Sequence, residues 1–168
     1  METIEQSLVL LKPDALERGL VGEILQRFER VGLKIVGMKL MQPTEEAAGK
    51  HYTEDLAIRR GEAIRNSMIQ MLASGPIVAI VLEGIEAVGL VRKMIGETEP
   101  KSASPGTIRG DYSHVSFKHA NNEAGSGKLY NLIHGSATPE EAKTEIEVWF
   151  TEDELIDHNP VYTKHTLA

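Results

Sequence analysis

The stretch SGPIVAIVL, residues 74–82, decides the architecture. Ser74, Gly75 and Pro76 are turn chemistry, since glycine and proline set backbone angles that a strand interior does not use. Residues 77–82 then run apolar without interruption, where a strand with one wet face would alternate. Such a run belongs to a strand covered on both faces, at the middle of a sheet.

Upstream, residues 7–11 form another short apolar run, stopped by Lys12 and Pro13. Proline drives the preceding residue into an extended conformation, so Lys12 is predicted at a strand end. Asp14 with Glu17 three residues on resembles a capping box, and Ile24, Leu25, Phe28 and Val31 recur at helical spacing until Gly32. Residues 33–41 alternate as a strand that places Val36, Met38 and Leu40 on one side, and Gln42 with Pro43 closes it. Residues 44–73 mix charges with scattered apolar positions and read as two short helices, with Gly61 as the break.

Downstream of the central run, Ile85, Val88, Val91 and Met94 or Ile95 outline a helix that closes at Gly96. Residues 97–111 show no periodicity and read as a long ordered loop. NNEAGSGK, residues 121–128, looks like a flexible polar excursion, and residues 129–134 like a short strand ending on His134 before a glycine turn. Thr138, Pro139 and Glu141 supply a cap, a proline at the first helical position and a glutamate three after the cap, for a helix to about Phe150. The tail, residues 151–168, is poor in apolar residues and is expected on the surface or against a neighbouring subunit.

The order strand, helix, strand, strand, helix, strand predicts an α/β (α+β) ferredoxin-like sandwich: a four-stranded antiparallel sheet with helices covering it on one face. A chain of 168 residues, 41% hydrophobic, suits one domain spanning residues 1–168. With 18 Lys and Arg against 25 Asp and Glu, its net charge of -7 opposes loose attraction to a nucleic-acid backbone or an anionic membrane. No cysteine is present, which excludes a disulfide framework and thiolate metal sites. The start, METIEQSLVLLKPD, lacks a basic secretory leader, and no apolar stretch approaches the ~18 residues of a membrane span. A soluble cytoplasmic protein is the expectation.

NLIHGS, residues 131–136, presents an imidazole at a strand end, where rigid scaffolds display reacting groups. A ring nitrogen free at neutral pH makes His134 a candidate nucleophile; a lone histidine there is more often a satisfied edge residue. Glu145 lies beside the apolar stripe of Ala142, Ile146 and Trp149 on the following helix. It is placed either to orient the imidazole or simply to reach water from the stripe's edge. Lys12, Arg92 and Arg109, with Thr98 and Thr107, could gather positive charge around an oligophosphate, or stand apart as solvated ion-pair partners. GSGK at residues 125–128 lacks the first glycine and the hydroxyl of a P-loop, and no dinucleotide fingerprint occurs. His114 and His119 have no partner at metal spacing.

LLKPDALERGLVGEIL near the start, HYTE at 51–54, SGPIVAIVLEG at 74–84, GETEPKSASPGTIRGDYS at 96–113 and NLIHGS at 131–136, in this order, resemble the nucleoside diphosphate kinase family over nearly the whole chain. The resemblance implies a ferredoxin-like fold and a ping-pong exchange, in which a nucleoside triphosphate phosphorylates a histidine and a nucleoside diphosphate collects the group. It implies His134 as the nucleophile and Glu145 as the group orienting it, with Ser136 and Tyr52 as nearby hydrogen-bonding partners. Lys12, Arg92, Thr98, Arg109 and Asn131 match the family's contacts to phosphates and ribose. It further implies Mg2+ held mainly by the nucleotide phosphates and water, with no protein metal cage, and a homo-oligomer, hexamer favoured.

Three features depart from the family pattern. Ala137 follows the His-Gly-Ser triplet where an acidic residue is usual. Between Tyr52 and Ser74 the chain is longer, and Ile64 stands where a base-stacking phenylalanine is expected. Between Arg109 and Asn131 there is an insertion of roughly a dozen residues around 119–128, longer than a typical loop. A scaffold of this kind that binds RNA without turnover would show stacking aromatics and a basic face, but aromatics are 5% and the charge is negative. A protein that uses nucleotide only as a structural ligand is the other alternative, and phosphoryl labelling separates it from an enzyme.

Overall fold

The computed structural model describes residues 4–121 and 128–166. The elements run β1 (Ile4–Leu11), α1 (Pro13–Glu17), α2 (Val21–Arg30), β2 (Lys34–Met41), α3 (Glu45–His51), α4 (Glu54–Arg60), α5 (Glu62–Ala73), β3 (Ile77–Ile85), α6 (Ala87–Ile95), α7 (Ile108–Tyr112), α8 (Phe117–Ala120), β4 (Ile133–Gly135), α9 (Pro139–Trp149) and α10 (Thr163–Thr166). The sheet has the order β2-β3-β1-β4, and its pairs are antiparallel. The apolar run at residues 77–82 is therefore a central strand, as its composition requires.

Because successive side chains of a strand point to opposite faces, β1 and β3 each feed two cores. Val9, Leu11, Val78, Ile80 and Leu82 pack with Ile24 and Phe28 of α2 and with Val91 and Ile95 of α6. Leu8, Leu10, Ile77, Ala79 and Val81 pack with α3, α5 and α9 through Ala48, Leu72, Ile146 and Trp149. Helices thus cover both faces, and the expectation of a single covered face is corrected. Each such buried Leu, Ile or Val contributes about 1.5–3 kcal/mol relative to exposure, so the two central strands anchor everything attached to their ends.

Local departures from the sequence reading have physical causes. The helix expected from Asp14 onward is two helices, parted at Gly19, whose φ of 67° a glycine adopts without strain. Asp14 makes no cap; α1 begins at Pro13 with Lys12 as N-cap and no side-chain cap bond. Residues 44–73 form three helices, with the break at Gly61 (φ 95°) as expected and a further one at Tyr52 and Thr53.

In β2 a register shift between Ile35 and Gly37 reverses the alternation. Val36 is buried whereas Met38 and Leu40 are exposed, so the three do not share a side. The loop after α6 contains a 3-10 turn at Pro100–Ser102 and α7, which Thr107 caps by accepting from the Gly110 amide. Thr138 caps α9 in the same way through Glu141, where the sequence predicted it. The tail lies along the β2 edge of its own chain: the Ile156 amide donates to the Val36 carbonyl at 2.7 Å, and Asp157 pairs with Lys34 at 3.0 Å. Most of the NNEAGSGK excursion, residues 122–127, lies outside the described residues.

Candidate active site

The strand that carries His134 is shorter than predicted. Residues 129–132 are not strand, and β4 is Ile133–Gly135 with His134 at its centre, opposite Leu10 of β1. Gly135 is not there for a turn. A Cβ on it would stand 2.7 Å from Cδ1 of Ile95, so glycine lets β4 pack closely on α6.

His134 Nε2 lies 2.9 Å from Glu145 Oε1, and Ser136 Oγ donates to Glu145 Oε2 at 2.6 Å. Ser136, fully buried, also accepts from the Leu8 amide at 3.1 Å, which ties the carboxylate to the sheet. A carboxylate accepting from Nε2–H leaves the other ring nitrogen with its lone pair, and Nδ1 has no hydrogen-bond partner among the described residues. The structure thus brings Glu145 and Ser136, both singled out in the sequence, beside the imidazole. Tyr52 differs. It is buried near the site, but its hydroxyl has no partner among the described residues, and burial, with Glu145 next, pushes its pKa up.

His134 opens into a cavity of about 490 Å³ lined also by Lys12, Tyr52, Arg92, Thr98, Arg109, Asn131, Ala137 and Glu145. The cations that no spacing rule joined do converge. Lys12 Nζ donates to Asn131 Oδ1 at 2.7 Å, and Asn131 Nδ2 donates to the Thr98 carbonyl at 2.9 Å. Arg109 donates to the carbonyls of Asn131 (3.1 Å), Gly96 (3.0 Å) and Ile133 (2.6 Å), which fixes the guanidinium and leaves its remaining N–H groups for an anion. Arg92 is exposed, with no hydrogen bond or ion pair among the described residues. Thr107 caps α7 instead of lining the cavity.

Burial, then the neighbouring Arg109, lowers the Lys12 pKa to about 7, against the opposing pull of Asp14. Burial, then Arg92, lowers that of Arg109 to about 10, so it stays charged at neutral pH. The Lys12 value carries a prediction. A bound polyphosphate favours the ammonium form, so above pH 7 each ligand must bring a proton with it. The Kd for ADP should rise with pH above about 7, by up to about tenfold per unit for one coupled proton. Titration calorimetry at pH 6.5 and 8.5 checks it; a flat Kd would show that binding takes up no proton at Lys12.

His51 was missed by sequence reasoning, although it precedes Tyr52 in HYTE. Its ring meets His134 edge-on, with centroids 4.4 Å apart and planes at 88°. The Trp149 indole donates to its Nδ1 across 3.4 Å. Burial, with His134 and Lys12 next, holds its pKa well below the usual value, so His51 is a neutral wall and not a second cation. Ligand atoms of His51, His134 and Glu145 lie within 4.8 Å of one another, a grouping able to hold a metal ion. Here His134 Nε2, the Glu145 carboxylate and His51 Nδ1 are engaged with one another, Ser136 and Trp149, while His51 Nε2 and His134 Nδ1 have no hydrogen-bond partner among the described residues.

A second cavity of about 420 Å³ continues from the first and shares Lys12, Thr98 and Asn131 with it. Ile64 and Met68 of α5 and Phe117 of α8 line this one. The site thus joins an imidazole with an unengaged Nδ1, a cationic cradle and a largely apolar extension.

Comparison with known proteins agrees with that chemistry. The family model described as nucleoside diphosphate kinase matches residues 5–155. The chain is 44% identical over 156 residues to the nucleoside diphosphate kinase of Borreliella burgdorferi, covering 92% of each. It is 46% identical over 153 residues to that of Staphylothermus marinus, covering 91% of this chain and 97% of the relative. Among solved structures it resembles a transition-state mimic of the Borrelia burgdorferi enzyme with bound vanadate and ADP (TM-score 0.93, 41% identity, 98% and 97% of the two chains). It also resembles the Halobacterium salinarum enzyme in complex with CDP (TM-score 0.82, 36% identity, 97% and 98%). With sequence and fold matching over nearly its full length, this chain belongs to the nucleoside diphosphate kinase family and is a nucleotide phosphotransferase.

Proposed function

We propose that this chain moves the terminal phosphoryl group between nucleotides through His134. The observation that carries the reading is the 2.9 Å contact of Nε2 with Glu145, which leaves Nδ1 unengaged in a cavity that Lys12, Arg92 and Arg109 make positive. The Nδ1 lone pair attacks the γ-phosphorus, the bond from phosphorus to the bridging oxygen breaks, and the diphosphate leaves with that electron pair. A terminal oxygen of a second nucleoside diphosphate then attacks the phosphorus, and the N–P bond breaks to restore the imidazole. Glu145 stabilises the positive charge that the ring gains on phosphorylation, while the cations meet charge on the equatorial oxygens. Thr98 and Asn131 serve as further phosphate and ribose contacts, and Tyr52 as a buried wall of the site. The test is intact mass after incubation with ATP and magnesium, for the wild type and His134→Ala.

A divalent cation, read as Mg2+, supplies charge neutralisation between phosphates when bound. Of the three carboxylates that line the cavity, Glu145 is committed to His134 and Ser136 and Asp55 to Arg59, so Glu141 alone could join the phosphates and water in holding the ion.

The nucleoside end belongs in the second cavity, which Ile64, Met68 and Phe117, 41% exposed, help to line. Phe117→Ala should raise KM about 5- to 10-fold for ATP, GTP and CTP alike with kcat much less changed. Stacking is tolerant of base identity, contributes about 1–3 kcal/mol, and acts equally on ground and transition states. Unchanged KM values for all three would remove Phe117 from the site.

We read residues 1–168 as one domain acting as a homo-oligomer, with a hexamer favoured. Exposed Met38 and Leu40 on the edge strand β2 offer a surface to a second copy. A cytoplasmic setting completes the reading; among the described residues no helix is long and apolar enough to cross a membrane.

A further inference from the structure

We propose that Asp14 is a positioning residue for phosphoryl transfer, its carboxylate holding Leu132 in a left-handed turn that sets both Asn131 and His134. Leu132 has φ 70°, and the Ile133 amide donates to the Asn131 carbonyl at 2.8 Å, which makes a γ-turn of the rare, strained kind. Such a conformation in a non-glycine residue costs about 1–3 kcal/mol and persists only where its surroundings over-determine it.

The surroundings do so here. Asp14 Oδ2 accepts from the Leu132 amide at 2.9 Å, and the Lys12 amide donates to the Leu132 carbonyl at 2.8 Å. Arg109 grips the carbonyls on either side, at Asn131 and Ile133. Turning Leu132 would therefore displace Asn131, the partner of Lys12, on one side and the short strand of His134 on the other.

Apart from its electrostatic pull on Lys12, no other contact among the described residues accounts for the position of Asp14. It does not cap α1, it is 7% exposed, and its Oδ1 has no partner among the described residues. Burial raises its pKa, against the pull of Lys12. A half-satisfied buried carboxylate is costly. That cost is explicable if Oδ2 aims the catalytic turn.

The proposal rests on His134 being the nucleophile. Its test uses the full chain with Asp14→Ala and Asp14→Asn, reading single-turnover phosphorylation by ATP and magnesium, ADP affinity and cooperative melting. Asp14→Ala should slow phosphorylation about 10- to 100-fold, the scale of a sub-ångström to 1 Å misplacement, and, because Asn131 and its partner Lys12 shift with the turn, raise the Kd for ADP by a smaller factor. Asp14→Asn, whose amide oxygen still accepts from Leu132, should keep a rate within about 3-fold of wild type.

A wild-type rate in Asp14→Ala overturns the proposal. So does an equal loss in both variants, which would assign Asp14 to the charge of Lys12. If Asp14→Ala does not melt cooperatively, the Asn variant decides alone, and a loss beyond tenfold there overturns it. A wild-type chain that takes no phosphoryl group defeats the His134 reading and this proposal with it. A wild type that labels, beside an equally fast Asp14→Ala, defeats this proposal alone.

Discussion

His134→Ala is expected to gain no mass on incubation with ATP and magnesium, while the wild type gains one phosphoryl group of about 80 Da. Exchange between nucleotides should fall by at least about 1000-fold if His134 Nδ1 is the group that takes the phosphoryl and hands it on. His51 is the nearest alternative, but it is buried and its Nδ1 accepts from Trp149. Folding should survive the change. The imidazole is 22% exposed and its loss leaves Glu145 still hydrogen-bonded to Ser136, so stability should move by only about 1 kcal/mol. ADP affinity, which the proposed function assigns to Lys12, Arg92 and Arg109, should be nearly unchanged. Substantial exchange in a folded His134→Ala would assign the nucleophile elsewhere.

Glu145→Gln should slow phosphorylation of His134 by about 10- to 1000-fold, the range of one positioned polar or ionic group in a transition state. The two carboxylate oxygens accept separately, from His134 at 2.9 Å and from Ser136 at 2.6 Å. An amide offers one acceptor, so glutamine must give up one of these bonds or turn a donor towards Ser136. It also carries no charge to offset the cationic ring. The loss should appear in the single-turnover rate, with ADP affinity little altered. A variant phosphorylated at the wild-type rate would reduce Glu145 to a half-buried helix residue.

The elements that were legible in the sequence are those whose cause is local. Residues 77–82 are apolar at consecutive positions, and that alone requires cover on both faces; β3 has it. Thr138, Pro139 and Glu141 mark a helix start because a cap bond spans three residues, and the bond forms. Where the reading went astray, a distant partner had intervened. In β2, Val36 and Gly37 meet Phe150, and the tail bonds to the Val36 carbonyl, so the strand bulges and Met38 and Leu40 turn outward. Asp14 has the spacing of a cap, yet it bonds an amide 118 positions away.

The site divides in the same way. His134, Glu145 and Ser136 lie on one strand-to-helix segment, where a residue's offset sets its direction, and with the order of motifs they announced the chemistry. No periodicity joins Lys12, Arg92, Arg109 and Asn131, or puts His51 against His134 and Asp14 beneath Leu132. Those neighbours lie far apart in the chain, and the antiparallel sheet, by bringing the end of β1 beside β4, gathers Lys12, Arg92, Arg109, Asn131, His51 and His134 around a common cavity. The sequence by itself determined the class of fold and singled out His134 and Glu145 as neighbours on one strand-to-helix segment, because spacing along that segment carries that information. Tertiary structure alone decided which cations converge, which buried groups hold the strained turn and where the nucleoside end can lie, because these depend on distances between strands that no local pattern encodes.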